Sequence, residues 1–510
     1  MERCKSLARI IKAGRAPAWP CPPTPDLPTK EVADALLDNY LRTSESIYRI
    51  LHMPSFRKDY DGLWESNNPP GMAFMVQLKL VLAIGAITYD GSFSLRPSAM
   101  RWVYEAQTWL SEPKFKSRLD IKTLQTNLLL LIAQEGVGVR GDNMWISMGA
   151  LLRKTIFMGL HKDPMSLQPM TVLAQEMRRR LWNTILELAL QSSLTSGGPP
   201  LISLDDFTTV APQNFDDEQL SVDQAVPRAE NERTQVSIAI ALRKTFPQRL
   251  ALVKFLNDSR PSGTYEETLR IDADLRASYQ SLRQSLQSDP QELPTQLEMS
   301  MLDFLLHRYM VALHVPFFTP AMQETAYMYS RKVVERSCLK IWRAICPDAS
   351  ALTDDSTNEW TGVSRLAICS SGFYPSVAIH AVFLLALELR AQILEDDGLG
   401  STPLRPDLIS VLDQSSAWAA KTLQAGETSV KGCAVIRLLA CHVDALRKGL
   451  SPSEITGLLT DALENEMNES LVVLEQVAAR YGYGDADIEL EQVPMTPSEA
   501  IEDWDFMVCL

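Results

Sequence analysis

Asn143-Met-Trp-Ile-Ser-Met-Gly-Ala-Leu-Leu-Arg-Lys-Thr-Ile-Phe-Met-Gly-Leu-His-Lys-Asp163 reads as one amphipathic helix and its stop. Trp145, Met148, Leu152, Ile156 and Leu160 recur at the three- and four-residue spacing that places side chains on one helical face. Asp142 or Asn143 can open the helix, because a short side-chain oxygen accepts from the free amides of the first turn. Gly159 suits a C-terminus that turns left-handed, and His161 and Lys162 favour the carbonyl end of the dipole. The same period returns in Val32, Ala35, Leu36 and Tyr40, and in Met177, Leu181, Ile185 and Leu188. A long helix is expected over Glu230–Leu256, kinked or broken by Pro247. Further helices are expected at Thr264–Gln287, Leu297–Val315, Tyr327–Ile345, Ser376–Leu394, Leu408–Gln424, Val430–Arg447 and Ala462–Ala479. No run of alternating β-branched residues is bounded by hairpin turns, and no fixed-period repeat emerges. The fold class is all-α, a large multi-helix domain with disordered termini.

At 510 residues the chain exceeds the size, roughly 250–300 residues, at which one core stops growing, so two or more packed units are expected. Residues 1–28 read as a basic, proline-rich, disordered leader. Residues 29–256 form the first helical part, 257–480 a second helical part packed on it, and 481–510 a tail. The tail holds no lysine or arginine, and its eight carboxylates alternate with apolar groups that include Trp504 and Phe506. That composition belongs to disordered activation segments; a plain solvated tail, or one docked back on the domain, is the alternative.

The net charge of −14 lacks the clustered basic surface of a free-standing DNA-binding module, so any contact with nucleic acid is local or borrowed from a partner. The eight cysteines form no C-x-x-C pair and read as buried free thiols in a reducing compartment. The basic start lacks a following apolar core, so it is not a secretory signal. Met72–Tyr89 and Val377–Leu389 are interrupted by Gln77 and Lys79, and by His380 and Glu388; both read as core helices rather than membrane spans. No phosphate-binding, nucleophile-elbow or zincin motif occurs. The pairs Asp205-Asp206, Asp216-Asp217, Asp354-Asp355 and Asp396-Asp397 lack the third acid that a helical magnesium site needs. An enzyme is therefore not expected, and a helical enzyme or ligand carrier is kept only as the lesser alternative.

Four blocks carry a resemblance. The first is Tyr48-Arg-Ile-Leu-His-Met-Pro-Ser-Phe56, with His52, Pro54 and Phe56, followed by Tyr60 and Trp64. The second ends in Met158-Gly-Leu-His-Lys-Asp163, with Gly159, Leu160 and His161. The third is Glu176-Met-Arg-Arg-Arg-Leu-Trp182, with Arg178, Arg179, Arg180, Leu181 and Trp182. The fourth is Ser196-Gly-Gly-Pro-Pro-Leu-Ile-Ser203, with Gly198 and Pro199, then Pro212-Gln-Asn-Phe-Asp-Asp217. In this order they resemble the regulatory middle homology domain of the fungal zinc-cluster transcription factors. Each block also has a local reading. Pro54 stops the preceding helix and fixes an extended turn, with Phe56 and Trp64 anchoring it in the core. Consecutive arginines point in different directions on a helix, so Arg178–Arg180 pair inside the domain, with carboxylates such as Glu176 or Asp205 and Asp206, rather than forming a phosphate-binding face. The histidines are structural.

The resemblance implies a nuclear transcription regulator, with control of a pathway-specific secondary-metabolite gene set. The family's DNA reader holds two zinc ions through six cysteines near the N-terminus; here that region offers only Cys4 and Cys21. No cofactor is expected, and DNA is touched directly only if a cluster lies upstream. Coactivators or a related zinc-cluster factor are the implied partners, with a homodimer or heterodimer and a small-molecule effector left open, and no membrane. The alternative function is a cluster-free, partner-binding regulator that modulates an intact relative.

Overall fold

The computed structural model describes residues 2–65, 71–114, 116–139, 143–222, 224–258, 263–287, 293–346, 362–395 and 405–480. Among these residues every regular element is helical and none is a strand. The chain divides into two compact units, residues 17–90 with 95–314, and residues 1–16 with 91–94 and 315–510. The division therefore falls after His314, not after Leu256. The tail, with Trp504 and Phe506, lies outside the described residues.

The unit of residues 17–314 is built around the helix Met72–Ala86, in which every residue from Met75 to Ala86 is buried. An apolar helix with no polar face has to be covered on all sides. Lys30–Tyr40, Arg96–Ser111 and Ile121–Val137 pack on it. Ala33, Leu36, Leu37 and Tyr40 face inward, one step round from the expected stripe, which leaves Val32 and Ala35 half-buried. Contact with Lys30–Tyr40 is close enough that a Cβ on Gly85 would overlap the Leu36 carbonyl oxygen. Lys79 sits mid-helix and is matched by Glu105 at 2.5 Å, both side chains being 1% exposed. Lys79 Nζ also donates to the Thr24 carbonyl at 2.7 Å. Thr24 belongs to the proline-rich stretch, which is thus pinned along Arg96–Ser111 instead of disordered; the Cys21 amide donates to Thr108 Oγ1 at 3.0 Å. The proline count hid this, because an extended backbone with free amides can still be held by side chains.

Three helix boundaries move. Pro54 is the second residue of the helix Met53–Glu65, so it starts a helix rather than fixing an extended turn; its missing amide costs nothing there. The long helix begins at Ser237 and runs unbroken through Pro247 to Leu256. One turn before that proline, the Leu242 carbonyl accepts from Thr245 Oγ1 and Arg249 Nη2, each at 2.9 Å. Pro452–Ala479 begins ten residues ahead of the expected Ala462, at a capping box in which Ser451 and Glu454 satisfy each other's backbone amides.

In the other unit the leader is a helix, Glu2–Arg15, again in place of disorder. Cys4, Leu7 and Ile11 line one face and are 3%, 0% and 0% exposed. That face meets Pro452–Ala479, where Cys4 Sγ donates to the Met467 carbonyl at 3.7 Å and Arg3 pairs with Glu475 at 2.8 Å. The basic residues drew attention away from this four-seven-eleven spacing. Phe373–Leu394 is long and apolar enough to cross a membrane by composition. It packs on Met328–Ile345 and Lys431–Arg447, and its Glu388 meets buried Arg331 at 2.6 Å, as a core helix does.

Gly85→Ala should destabilise the chain by about 1–3 kcal/mol, because the added methyl meets backbone and neither helix can retreat cheaply. Urea unfolding of the two proteins reads this directly; an unchanged midpoint would contradict the close crossing.

Candidate functional site

Residues of three of the four blocks meet at a buried carboxylate, Asp217. The approach begins at Glu45, itself fully buried, which accepts from Tyr40 Oη at 2.6 Å and from the Ile50 and Leu51 amides at 3.2 and 3.0 Å. This clamp folds the chain back on itself at Arg49, whose φ of 50° lies in the left-handed region. Arg49 Nη2 then donates to Asp217 Oδ1 at 2.8 Å. Four residues on, the Met53 amide donates to Asp217 Oδ2 at 2.9 Å, so the carboxylate also sits at the N-terminus of Met53–Glu65, where the helix dipole favours it. His52 Nε2 donates to the Asp217 carbonyl at 3.0 Å, and its Nδ1 pairs with Ser55 Oγ at 2.8 Å.

From the opposite side comes the arginine helix, Val172–Ser196. Arg180 Nη1 reaches the same Asp217 Oδ1 at 2.5 Å, and its Nη2 donates to the Phe215 carbonyl at 3.2 Å. The side chains of Arg180 and Asp217 are both 0% exposed. Burial alone would raise the Asp217 carboxyl, but Arg49 and Arg180 with the Met53 amide hold it below its ordinary value.

A second cluster lies one residue back along the helix. Arg179 grips Asp163 through Nε at 3.1 Å and Nη2 at 2.9 Å, a two-pronged geometry that only a guanidinium offers. Its Nη1 takes Glu176 at 2.7 Å. The same two carboxylates also reach the loop that leads to Asp217: Glu176 Oε2 accepts from the Gln213 amide at 2.9 Å, and Asp163 Oδ2 from the Val210 amide at 3.2 Å. Burial opposes ionisation of Asp163, yet Arg179 and these amides keep it below its ordinary value, whereas at Glu176 burial wins and the carboxyl is raised. Arg178 has a different task. Its Nη2 donates to the Met158 carbonyl at 3.0 Å, capping the helix Met144–Phe157. There Gly159, φ +74°, and Leu160 complete a Schellman turn, their amides donating to Ile156 and Thr155 at 2.9 and 3.0 Å.

The remaining quoted residues are spread around this network. Phe56 is buried against Phe74, its ring centroid 5.4 Å away, while Trp64 is only half-buried at the edge, beside Tyr60. Leu160, Leu181 and Trp182 are each 0% exposed, and Trp182 meets Phe207 edge-on. His161 is half-buried, and its carbonyl accepts from the Thr208 amide at 2.8 Å. Gly198 lies under Trp145, where a Cβ would stand 2.7 Å from the indole; Pro199 is exposed. Of the partners expected for the arginines, Glu176 is one. Asp205 and Asp206 are not: they are exposed on a short surface turn, and Asp163 and Asp217 take their place.

Among the described residues no group of three or more histidine, cysteine or acidic side chains could hold a metal ion. Cys4 is buried with its thiol turned to the Met467 carbonyl, so it does not fit a thiolate bridge in a zinc cluster. The arrangement fastens four separated segments of chain to one another.

A model of the fungal specific transcription factor domain matches residues 37–307, which span both clusters. The transcription factor opdR of Penicillium oxalicum is 35% identical over 426 residues, 79% of this chain and 53% of that protein. Transcription factor lepE of Aspergillus flavus is 33% identical over 387 residues, 74% of this chain and 46% of that protein. The aspyridones cluster regulator apdR of Emericella nidulans is 28% identical over 350 residues, 65% of this chain and 46% of that protein. The chain spans about half the length of these curated relatives. It belongs to the fungal specific transcription factor domain family.

Asp217→Asn should cost about 3–5 kcal/mol, since it leaves two buried guanidinium groups without their anion. The pH dependence follows from the depressed values. Stabilisation by Asp217 and Asp163 is complete above the unfolded carboxylate value, about 3.9, and is lost as pH falls toward the lower folded values. Glu176, raised in the folded chain, runs the other way. Urea midpoints taken from about pH 5 to pH 3 should fall steeply in the native chain and less steeply in D217N; parallel curves would contradict the assignment.

Proposed function

We propose that this chain is the regulatory part of a nuclear, pathway-specific transcription regulator that controls a secondary-metabolite gene set. One observation carries the reading: within the family-matched region the arginines that could have met DNA are spent on Asp163, Glu176, Asp217 and a helix end. Phosphate contacts need exposed cations, and Arg179 and Arg180 are 4% and 0% exposed. The whole chain, at a net charge of −14, also lacks the basic balance of a nucleic-acid binder. Support for the pathway comes from relatives, one of which is named an aspyridones cluster regulator.

In this reading the helical scaffold presents residues 481–510 to coactivators, and DNA is read by a zinc cluster elsewhere, whether upstream or in a related partner factor. The alternation of carboxylates with Trp504 and Phe506 suits an apolar groove rimmed by cations. Disruption of the gene should abolish transcripts of its metabolite pathway, and unchanged transcripts would refute pathway control. Independently, residues 481–510 fused to a heterologous DNA-binding domain should activate a reporter. The double variant Trp504→Ala/Phe506→Ala should return it to background, and a silent native fusion would remove the tail from the account.

A further inference from the structure

We infer that the first half of the helix Pro452–Ala479 is a docking surface for a basic amphipathic helix of a partner protein. Ile455, Leu459, Leu463, Met467, Leu474 and Val477 recur at helical spacing and form one apolar stripe along it. Only the second half of that stripe is covered. Ser470, Leu474, Val477 and Ala478 are buried, whereas Ile455, Leu459, Leu463 and Met467 are half-buried and Leu458, beside them, is 41% exposed.

The stripe changes state where its cover begins. Glu2–Arg15 packs on Pro452–Ala479, and Cys4 Sγ, in its first turn, donates to the Met467 carbonyl at 3.7 Å. Ahead of that point Lys431–Arg447 lies along one side, with Cys441 Sγ donating to the Leu458 carbonyl at 3.8 Å. A helix whose apolar stripe runs past its cover offers the uncovered length to a further helix.

Charge selects the occupant. From Leu450 to Ala479 the chain carries Glu454, Asp461, Glu464, Glu466, Glu469 and Glu475 and no lysine or arginine. Glu454 is spent on the Ser451 cap and Glu475 on Arg3, at 2.8 Å. On the adjoining helix Arg437 interacts with Glu466, and Lys448, just past its end, is matched to Asp444 at 2.6 Å. Asp461, Glu464 and Glu469 are exposed. Asp461 and Glu469 follow Leu458 on its side of the helix, at three- and eight-residue steps.

The covered half shows which chemistry fits. Its partner, Glu2–Arg15, is a basic amphipathic helix, with Cys4, Leu7 and Ile11 turned inward and Arg3 on Glu475. An occupant of the first half prolongs that interface with the same chemistry. Residues 481–510, rich in carboxylates and without a cation, would set like charge against like. A second copy would bring the same acidic helix, with its basic helix already spent on its own chain. This surface is independent of which genes the regulator controls.

The test is fluorescence anisotropy of a labelled synthetic helix titrated with the full chain. The probe has about fourteen residues, enough to span the roughly 18 Å from Ile455 to Met467, with leucine at every third and fourth position and lysine or arginine between. Saturable micromolar binding is expected, and a peptide with glutamate in place of the cations should bind at least about tenfold more weakly. Asp461→Lys/Glu469→Lys should weaken the basic probe about tenfold and Leu458→Ser several-fold, each with an unchanged circular dichroism spectrum. Asp274→Lys, an exposed reversal on Tyr265–Leu286, should leave binding unchanged. Absence of saturable binding overturns the proposal, as does equal binding of the glutamate peptide, or full affinity in folded D461K/E469K or L458S. A probe affinity raised at least about tenfold by Trp504→Ala/Phe506→Ala would give the surface to the chain's own tail. A dimer in sedimentation that Leu458→Ser dissociates would give it to a second copy. Either result also overturns the proposal.

Discussion

One carboxylate, that of Asp217, organises the regulatory unit. Two guanidinium groups, Arg49 and Arg180, are brought into the interior with it. Charges that leave water must be paired and saturated with hydrogen bonds or the chain does not bury them. Both carboxylate oxygens of Asp217 accordingly accept hydrogen bonds, one from the two arginines and the other from a backbone amide. The requirement is geometric as much as energetic. The turn after Tyr48, the arginine helix and the loop before Gln219 must all arrive in register, or an ion is stranded.

The second cluster repeats this arrangement one residue along the same helix. Because Arg178, Arg179 and Arg180 project in different directions, they fasten three different things: a helix end, the Asp163 turn and the Asp217 loop. A basic run that looks like a phosphate-binding strip in one dimension is thus a set of internal fastenings in three. The apolar core around Met72–Ala86 supplies the bulk of the driving force, and the ionic clusters decide which loops are laid over it and where.

Helix positions were legible from the sequence wherever a stripe had a clear period. The stretch Met144–Phe157 and its Gly159 stop show it best, since both the cap and the left-handed glycine carry local signals. Elements with weak or competing signals were not legible. Glu2–Arg15 has a three-residue apolar face under a basic surface, and Pro54 signals a helix start and a helix stop equally well. At the site, the quoted blocks contain Arg49 and Asp217, yet nothing in a linear reading pairs residues 168 positions apart. Distance along the chain does not set the pairing: Asp163 lies before the arginines and Asp217 beyond Asp205 and Asp206, and it is Asp163 and Asp217 that the fold brings to Arg179 and Arg180. Buried ion pairs of this kind become visible only when the loops that carry them are placed.

The central claim is that Arg180 and Asp217 act as a unit. A double-mutant cycle of Arg180→Met, Asp217→Asn and the pair, followed by urea unfolding, measures that coupling directly. The account predicts that the double variant is more stable than the sum of the single losses implies, by roughly 1–3 kcal/mol. Additive losses would mean that the two residues stabilise the domain separately, and that the network is not what holds the four segments together.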